Sequence, residues 1–144
     1  MPDALRLAAL KLLARRDHSR AELKAKLAPA AESAEQLEVL LETLQAEHLL
    51  SDHRFASQRV AARAGRYGNA RLKQELRAQG VGEDDIAAAL PEGGDETARC
   101  RAVWGKKFGS RPQSAEERAR QMRFLQYRGF SAEAIRRTLA GPDD

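Results

Sequence analysis

A single cysteine, Cys100, stands in a chain of 144 residues, so an internal disulfide and a multi-cysteine zinc site are both excluded. It reads as a small hydrophobe within a helix. No run of 18 apolar residues occurs, which excludes a membrane-spanning helix. The opening stretch, MPDALRLAALKLLARR, places an acid before a short apolar segment and lacks a basic leader. No signal peptide is therefore expected, and the cytoplasm is the expected location. Val, Ile and Thr are few and never alternate with period two, so strands are not supported. Glycine-rich phosphate loops and the G-x-S-x-G nucleophile turn are missing. His18, His48 and His53 have no metal-ligand spacing and read as solvated side chains near helix ends. The chain is expected to be no enzyme and to hold neither metal nor cofactor.

What is present favours helix. Ala, Leu, Arg, Glu and Gln dominate. Hydrophobic residues make up 42% and charged residues 32%, enough for a packed core and against wholesale disorder. The five prolines, at 2, 29, 91, 112 and 142, interrupt no long periodic run.

An internal repeat organises these helices. Leu27, Leu76 and Leu125 are 49 residues apart, as are Leu37, Ile86 and Ile135, and again Leu41, Leu90 and Leu139. Ser33, Gly82 and Ser131 fall in the same register as acceptable N-caps. Gly80 and Gly129 each follow a helix, where a left-handed residue without a Cβ can end it. Val81 and Phe130 then precede a cap and can staple onto Ile86 and Ile135. The first copy lacks this glycine, having Ala31 and Glu32, so its turn must be built differently. An all-α fold follows: a tandem array of three three-helix, helix-turn-helix-like repeats, over residues 1–50, 51–92 and 95–141. The helices are expected at 3–16, 20–28 and 34–46, then 52–66, 69–79 and 83–90, then 97–108, 115–128 and 132–140. Ser19-x-x-Glu22 reads as a capping box. The stretch PEGGDET, 91–97, reads as a linker, and GSRPQS, 109–114, as a lengthened loop.

The net charge of +4 is unevenly placed. Residues 1–50 hold seven Lys/Arg against eight Asp/Glu, residues 54–77 seven against Glu75 alone, and residues 99–128 nine against Glu116 and Glu117. Such a bias attracts polyanions or an acidic protein surface. Arg59, Arg63 and Arg66 are spaced as one ridge of a helix. Tyr67 follows, and then Arg71, Lys73 and Arg77 on the next helix, where Leu72 and Leu76 face inward. Lys106, Lys107, Arg120, Arg123 and Arg128 repeat the bias near the C-terminus. These twelve residues are the candidate partner-binding set. Glu83, Asp84 and Asp85 open a helix and compensate its dipole. Trp104 and Phe108 read as core.

The segments that carry these features resemble the RecX family of bacterial recombination regulators. DHRFA at 52–56, YGNARLKQELRAQGV at 67–81, KKFG at 106–109 and RFLQYRGFSAEAI at 123–135 are similar to its signatures, and SRAELKAKL at 19–27 to its first unit. The chain departs from the pattern in the glycine-free first turn and at Arg59, where the family more often has an aromatic. The resemblance implies an elongated, curved array of three-helix units that is not an enzyme. It implies binding to RecA recombinase, chiefly in the groove of its nucleoprotein filament. It also implies inhibition of filament growth, ATP hydrolysis, strand exchange and SOS co-protease activity. Weak non-specific DNA binding, no membrane association and a monomer are expected. The alternatives are a helix-turn-helix transcription factor, opposed by a third helix, DDIAAAL, that lacks base-reading side chains, and a scaffold module indifferent to nucleic acid.

Overall fold

The computed structural model describes residues 3–141. The described residues form nine α-helices and two short 3-10 turns, with no strand. The first unit holds α1 (Ala4–Arg15), α2 (Arg20–Leu27) and α3 (Ala34–Ala46). The second holds α4 (Asp52–Arg63), α5 (Asn69–Ala78) and α6 (Glu83–Ala89), and the third α7 (Glu96–Lys107), α8 (Ala115–Tyr127) and α9 (Ala132–Ala140). No described helix is long and apolar enough to cross a membrane.

Helix starts follow the caps. Side-chain oxygens of Asp3, Ser19, Ser33, Ser51, Asp95, Ser114 and Ser131 each accept from backbone N–H groups of the first turn. The capping box at Ser19 forms by half. Ser19 Oγ accepts from Glu22 N at 3.0 Å, but the Glu22 carboxylate turns to the Arg16 guanidinium, at 2.6 and 3.1 Å. Helix ends follow the glycines: Gly80 and Gly129 have φ of 80° and 89°. The residues after them, Val81 and Phe130, are buried, as are Ile86 and Ile135. The first unit turns instead through a 3-10 segment, Ala28–Ala30, with extended backbone at Ala31.

Each unit encloses its own apolar cluster. Leu23, Leu27, Leu37, Leu41 and Leu44 lie in the first, Phe55, Val60, Leu72, Leu76 and Ile86 in the second, and Val103, Leu125, Phe130, Ile135 and Leu139 in the third. Cys100 is a fully buried free thiol in the third cluster, where burial pushes its pKa up. Trp104 is half-buried against the same cluster and donates from Nε1 to Gln121 at 2.8 Å. Phe108, also half-buried, packs edge-on to Phe124.

One joint is built twice between units. Ser19 Oγ, at the start of α2, donates to the carbonyl of Gln79 at the end of α5. Gly68 N, at the start of α5, donates to the carbonyl of Arg128 at the end of α8, at 2.8 Å, and Ala70 N to that of Gly129, at 3.1 Å. The carboxylates that open α4 and α7 reach back in the same way. Asp52 accepts from Arg20 N at 2.7 Å, and Glu96 from Asn69 N at 2.9 Å. A donor-rich helix start thus meets an acceptor-rich helix end and an acid of the next unit. The corner glycines serve this joint as well as their own turn. A Cβ at Gly80 would strike Ala21, and one at Gly129 would strike Arg71. Among the described residues no hydrogen bond or ion pair joins the first unit to the third, so the array grows by nearest-neighbour contacts.

One expectation fails here. His18 is not solvated but 2% exposed. It precedes the residue that docks on Gln79 and is drawn in with it, with Nδ1 3.1 Å from the Arg16 carbonyl and Nε2 3.1 Å from Lys26 Nζ. His48 and His53 are exposed as expected. The 91–97 stretch, read as a linker, runs from the second unit into the third as an ordered turn. Leu90–Gly93 forms a 3-10 turn against α4, with Gly93 so close that a Cβ would lie 2.8 Å from that of Ala64.

Candidate partner interface

The expected ridge of Arg59, Arg63 and Arg66 is not one helical stripe. Helix α4 ends at Arg63, and Arg66 lies in the exposed turn beyond it. Arg59 and Arg63 face the single acid of this region. Glu75 of α5 accepts from Arg63 Nε at 3.2 Å through one oxygen, while its other oxygen lies 2.5 Å from Arg63 Nε and 3.9 Å from Arg59. The bond to Glu75 holds the Arg63 guanidinium charged more firmly. Arg71 approaches the same carboxylate at 3.9 Å. Three guanidiniums on one carboxylate leave an excess of positive charge while fixing where it sits.

That excess is gathered around Tyr67. The guanidinium carbons of Arg71, Arg63, Arg128 and Arg66 lie 4.4, 4.7, 5.6 and 5.7 Å from the centre of its ring, within cation–π range. Tyr67 is half-buried at the end of the turn, and its ring is the common surface on which these cations gather. Arg128 comes from the third unit. Its backbone carbonyl is held by Gly68 N and its side chain donates to the Arg66 carbonyl at 3.1 Å, so the joint itself delivers it.

Buried Arg99 reinforces this joint from beneath. Its guanidinium donates to the carbonyls of Ala64, Gly94 and Tyr67 and to Asn69 Oδ1, at 2.9 to 3.1 Å. Burial pushes its pKa down, but an arginine at this site stays charged. One side chain from α7 therefore ties together the carbonyls of Ala64 and Tyr67 and the side chain of Asn69.

The remaining candidates divide. Lys106 and Lys107 are exposed in the last turn of α7, and Lys107 lies 5.4 Å from the centre of the Phe124 ring, with Arg128 at 5.0 Å. Lys73 and Arg77 line a separate groove with Glu83, and Arg77 is paired to Glu83 at 2.7 Å. Arg120 and Arg123 are exposed on α8, and among the described residues no ion pair or cation–π contact ties them to the Tyr67 cluster. Two aromatic members escaped sequence reasoning. Tyr127 is 76% exposed and lies 5.8 Å from the Arg71 guanidinium, and Phe124 is described above. The signal was available for Tyr127: it stands two residues from buried Leu125, and that spacing points to the opposite side of a helix.

Comparison with known proteins shows what the chain as a whole is similar to. Residues 51–90 match the family model of the second three-helix domain of RecX, and residues 95–139 that of the third. The chain is similar to Regulatory protein RecX of Ralstonia pickettii (strain 12J), at 46% identity over 99% of this chain and 91% of that protein. It is 44% identical to Regulatory protein RecX of Pseudomonas putida, over 99% of this chain and 93% of that one. Among solved structures, RecX from Lactobacillus salivarius matches with a TM-score of 0.81 at 18% identity, covering 92% of this chain and 90% of that one. A second, described as regulatory protein RecX, matches at 0.76 and 23% identity, covering 92% and 71%. At these identities the structural likeness carries the fold alone.

Proposed function

Because this chain belongs to the RecX family, we propose that it is a negative regulator of RecA recombinase that lodges in the groove of the RecA–DNA filament. It is no enzyme there. It acts as a cytoplasmic monomer that inhibits filament extension, ATP hydrolysis, strand exchange and the SOS co-protease activity. The segments 1–50, 51–92 and 95–141 serve as its three modules, and a long array suits a partner made of repeated subunits.

The observation that carries the reading is the meeting of four guanidiniums, from the second and third units, around Tyr67. Such a face engages phosphates or acidic side chains without reading base edges. Duplex readout by α6 is opposed by the acids Glu83, Asp84 and Asp85 in its first turn, which repel phosphates.

The test removes charge while leaving Glu75 its two partners on α4, Arg63 and Arg59. Arg59 and Arg63 are left intact, because reversing them would leave that carboxylate uncompensated. Arg66, Arg71 and Arg128 are replaced together by Gln. The variant is expected to lose inhibition of RecA-driven ATP hydrolysis by roughly tenfold or more, since each charged hydrogen bond is worth about 1.5–3 kcal/mol. Its helical circular dichroism is expected to be unchanged. Inhibition at wild-type potency would move the interface elsewhere.

A further inference from the structure

Beside the Tyr67 cluster, a cavity of about 330 Å³ opens between the second and third units. Gly65, Val103 and Phe124 supply its apolar surface, and Arg66, Lys106, Lys107 and Arg128 its charge. Among the described residues no carboxylate lies within 4.0 Å of any of these four cations. That contrasts with Arg54 and Arg77, which pair with Asp17 and Glu83, and with Arg63, which bonds to the shared Glu75.

The aromatic geometry decides what the cavity takes. Lys107 and Arg128 already stand over the Phe124 ring, at 5.4 and 5.0 Å, and Phe108 meets it at 89° with ring centres 5.5 Å apart. A nucleobase needs an open ring face for stacking, and this ring has cations over it. An aliphatic or aromatic side chain needs only apolar surface, which the ring edge, Val103 and the bare backbone of Gly65 provide.

We propose that this cavity is the receptor site for an acidic peptide segment of a partner protein. One apolar side chain of the segment enters between Gly65, Val103 and Phe124. The Asp and Glu residues flanking it pair with Arg66, Lys106, Lys107 and Arg128. The complementarity is of charge and of polarity together: apolar contact excludes water and so strengthens the ion pairs around it. This rests on the reading that the basic face of the second and third units is the partner-binding face, and it names the chemistry bound there.

Gly65 provides the means of testing it. A Cβ at this position meets nothing within 4 Å, and its φ lies outside the left-handed region, so Gly65→Leu fits the backbone and fills the cavity. Fluorescence anisotropy would be measured on the full chain with two labelled peptides, Asp-Glu-Asp-Phe-Glu-Asp and the same peptide with Ser for Phe. Short oligothymidine serves as the nucleic-acid arm. The wild type is expected to prefer the Phe peptide by roughly tenfold, the gain from burying one such side chain. Gly65→Leu abolishes that preference and leaves the Ser peptide and oligothymidine unaffected. Lys106→Gln with Lys107→Gln weakens both peptides and flattens their salt dependence. Equal binding of the two peptides by the wild type overturns the assignment. So does a Gly65→Leu effect confined to oligothymidine, which would make the cavity a nucleic-acid site. The two readings fail separately. A wild type that discriminates the peptides but does not inhibit RecA sinks the regulatory reading alone. One that inhibits RecA yet ignores the Phe side chain sinks the cavity assignment alone.

Discussion

Two glycines in the same structural role separate the joint from the helix. Gly68 and Gly82 are both N-caps without a side-chain hydrogen bond, with φ of −84° and −73°. Neither needs glycine for its own conformation. Replacing either by Ala carries the same capping loss, about 0.5–1 kcal/mol. Their surroundings differ. A Cβ at Gly82 meets nothing within 4 Å, whereas one at Gly68 would collide with the carbonyl group of Gly129 and the Cα of Phe130. Those neighbours are backbone and cannot swing aside. The third unit must back away, at an overpacking cost of about 1–3 kcal/mol. The bonds from Gly68 N and Ala70 N to the carbonyls of Arg128 and Gly129 lengthen with it, adding about 1 kcal/mol each. Gly68→Ala is therefore expected to destabilise by about 3–5 kcal/mol more than Gly82→Ala. That is a large share of a total stability of about 5–15 kcal/mol. Urea unfolding of the two variants beside the wild type measures it. The Gly68 variant is also expected to show a smaller m-value, because the third unit no longer unfolds together with the second. Since the joint delivers Arg128 to Tyr67, the proposed function predicts that the variant also loses inhibition of RecA. If the two variants lie within about 0.5 kcal/mol of each other, a margin typical of inert surface changes, the joint is not a source of stability.

Arg99→Met strips donors from three carbonyls at the same joint and is expected to cost about 3 kcal/mol in denaturation experiments. Arg99→Lys is expected to recover little of it, because an ammonium lacks the fork that reaches several acceptors at once. Phe130→Ala, with the ring 5% exposed, is expected to cost about 3–5 kcal/mol; an unchanged urea midpoint would mean that the ring is not part of the core. Burial lowers the pKa of His18 below its ordinary value near 6.5, so the unfolded chain takes up a proton that the folded chain resists. Stability is therefore whole above about pH 6.5 and falls as pH drops below it. His18→Gln is expected to flatten that slope between pH 7.5 and 5.5, and an unaltered slope would clear His18 of the effect. Naked DNA binding is expected to fall steeply with salt and binding to the RecA filament less so, because apolar contacts are not screened. Equal slopes in titrations at two ionic strengths would mean that only phosphates are touched.

Helix starts were legible because their causes are local. Ser33, Ser114 and Ser131 bond to groups three residues away, and the Leu and Ile spacings express the inner face of a single helix. Gly80 and Gly129 were legible as helix ends for the same reason: a positive φ is a property of one residue and its immediate turn. The joint was not legible. Gly68 with Arg128, Glu96 with Asn69 and Arg99 with Ala64 are pairs 27 to 60 residues apart, and nothing in the spacing of either member names the other. His18 looked like a loop histidine because its burial depends on how the second unit sits on the first. The basic surface was legible as composition and misread as geometry. Arg59, Arg63 and Arg66 have the spacing of one stripe, but the helix stops at Arg63, and Glu75 from another helix claims Arg59 and Arg63. Only the packing of the third unit on the second brings Arg128 beside Arg66, Arg71 and Tyr67. Charge is additive along a chain and can be counted from sequence. The direction of a charge depends on where helices end and dock, which the tertiary structure alone decides.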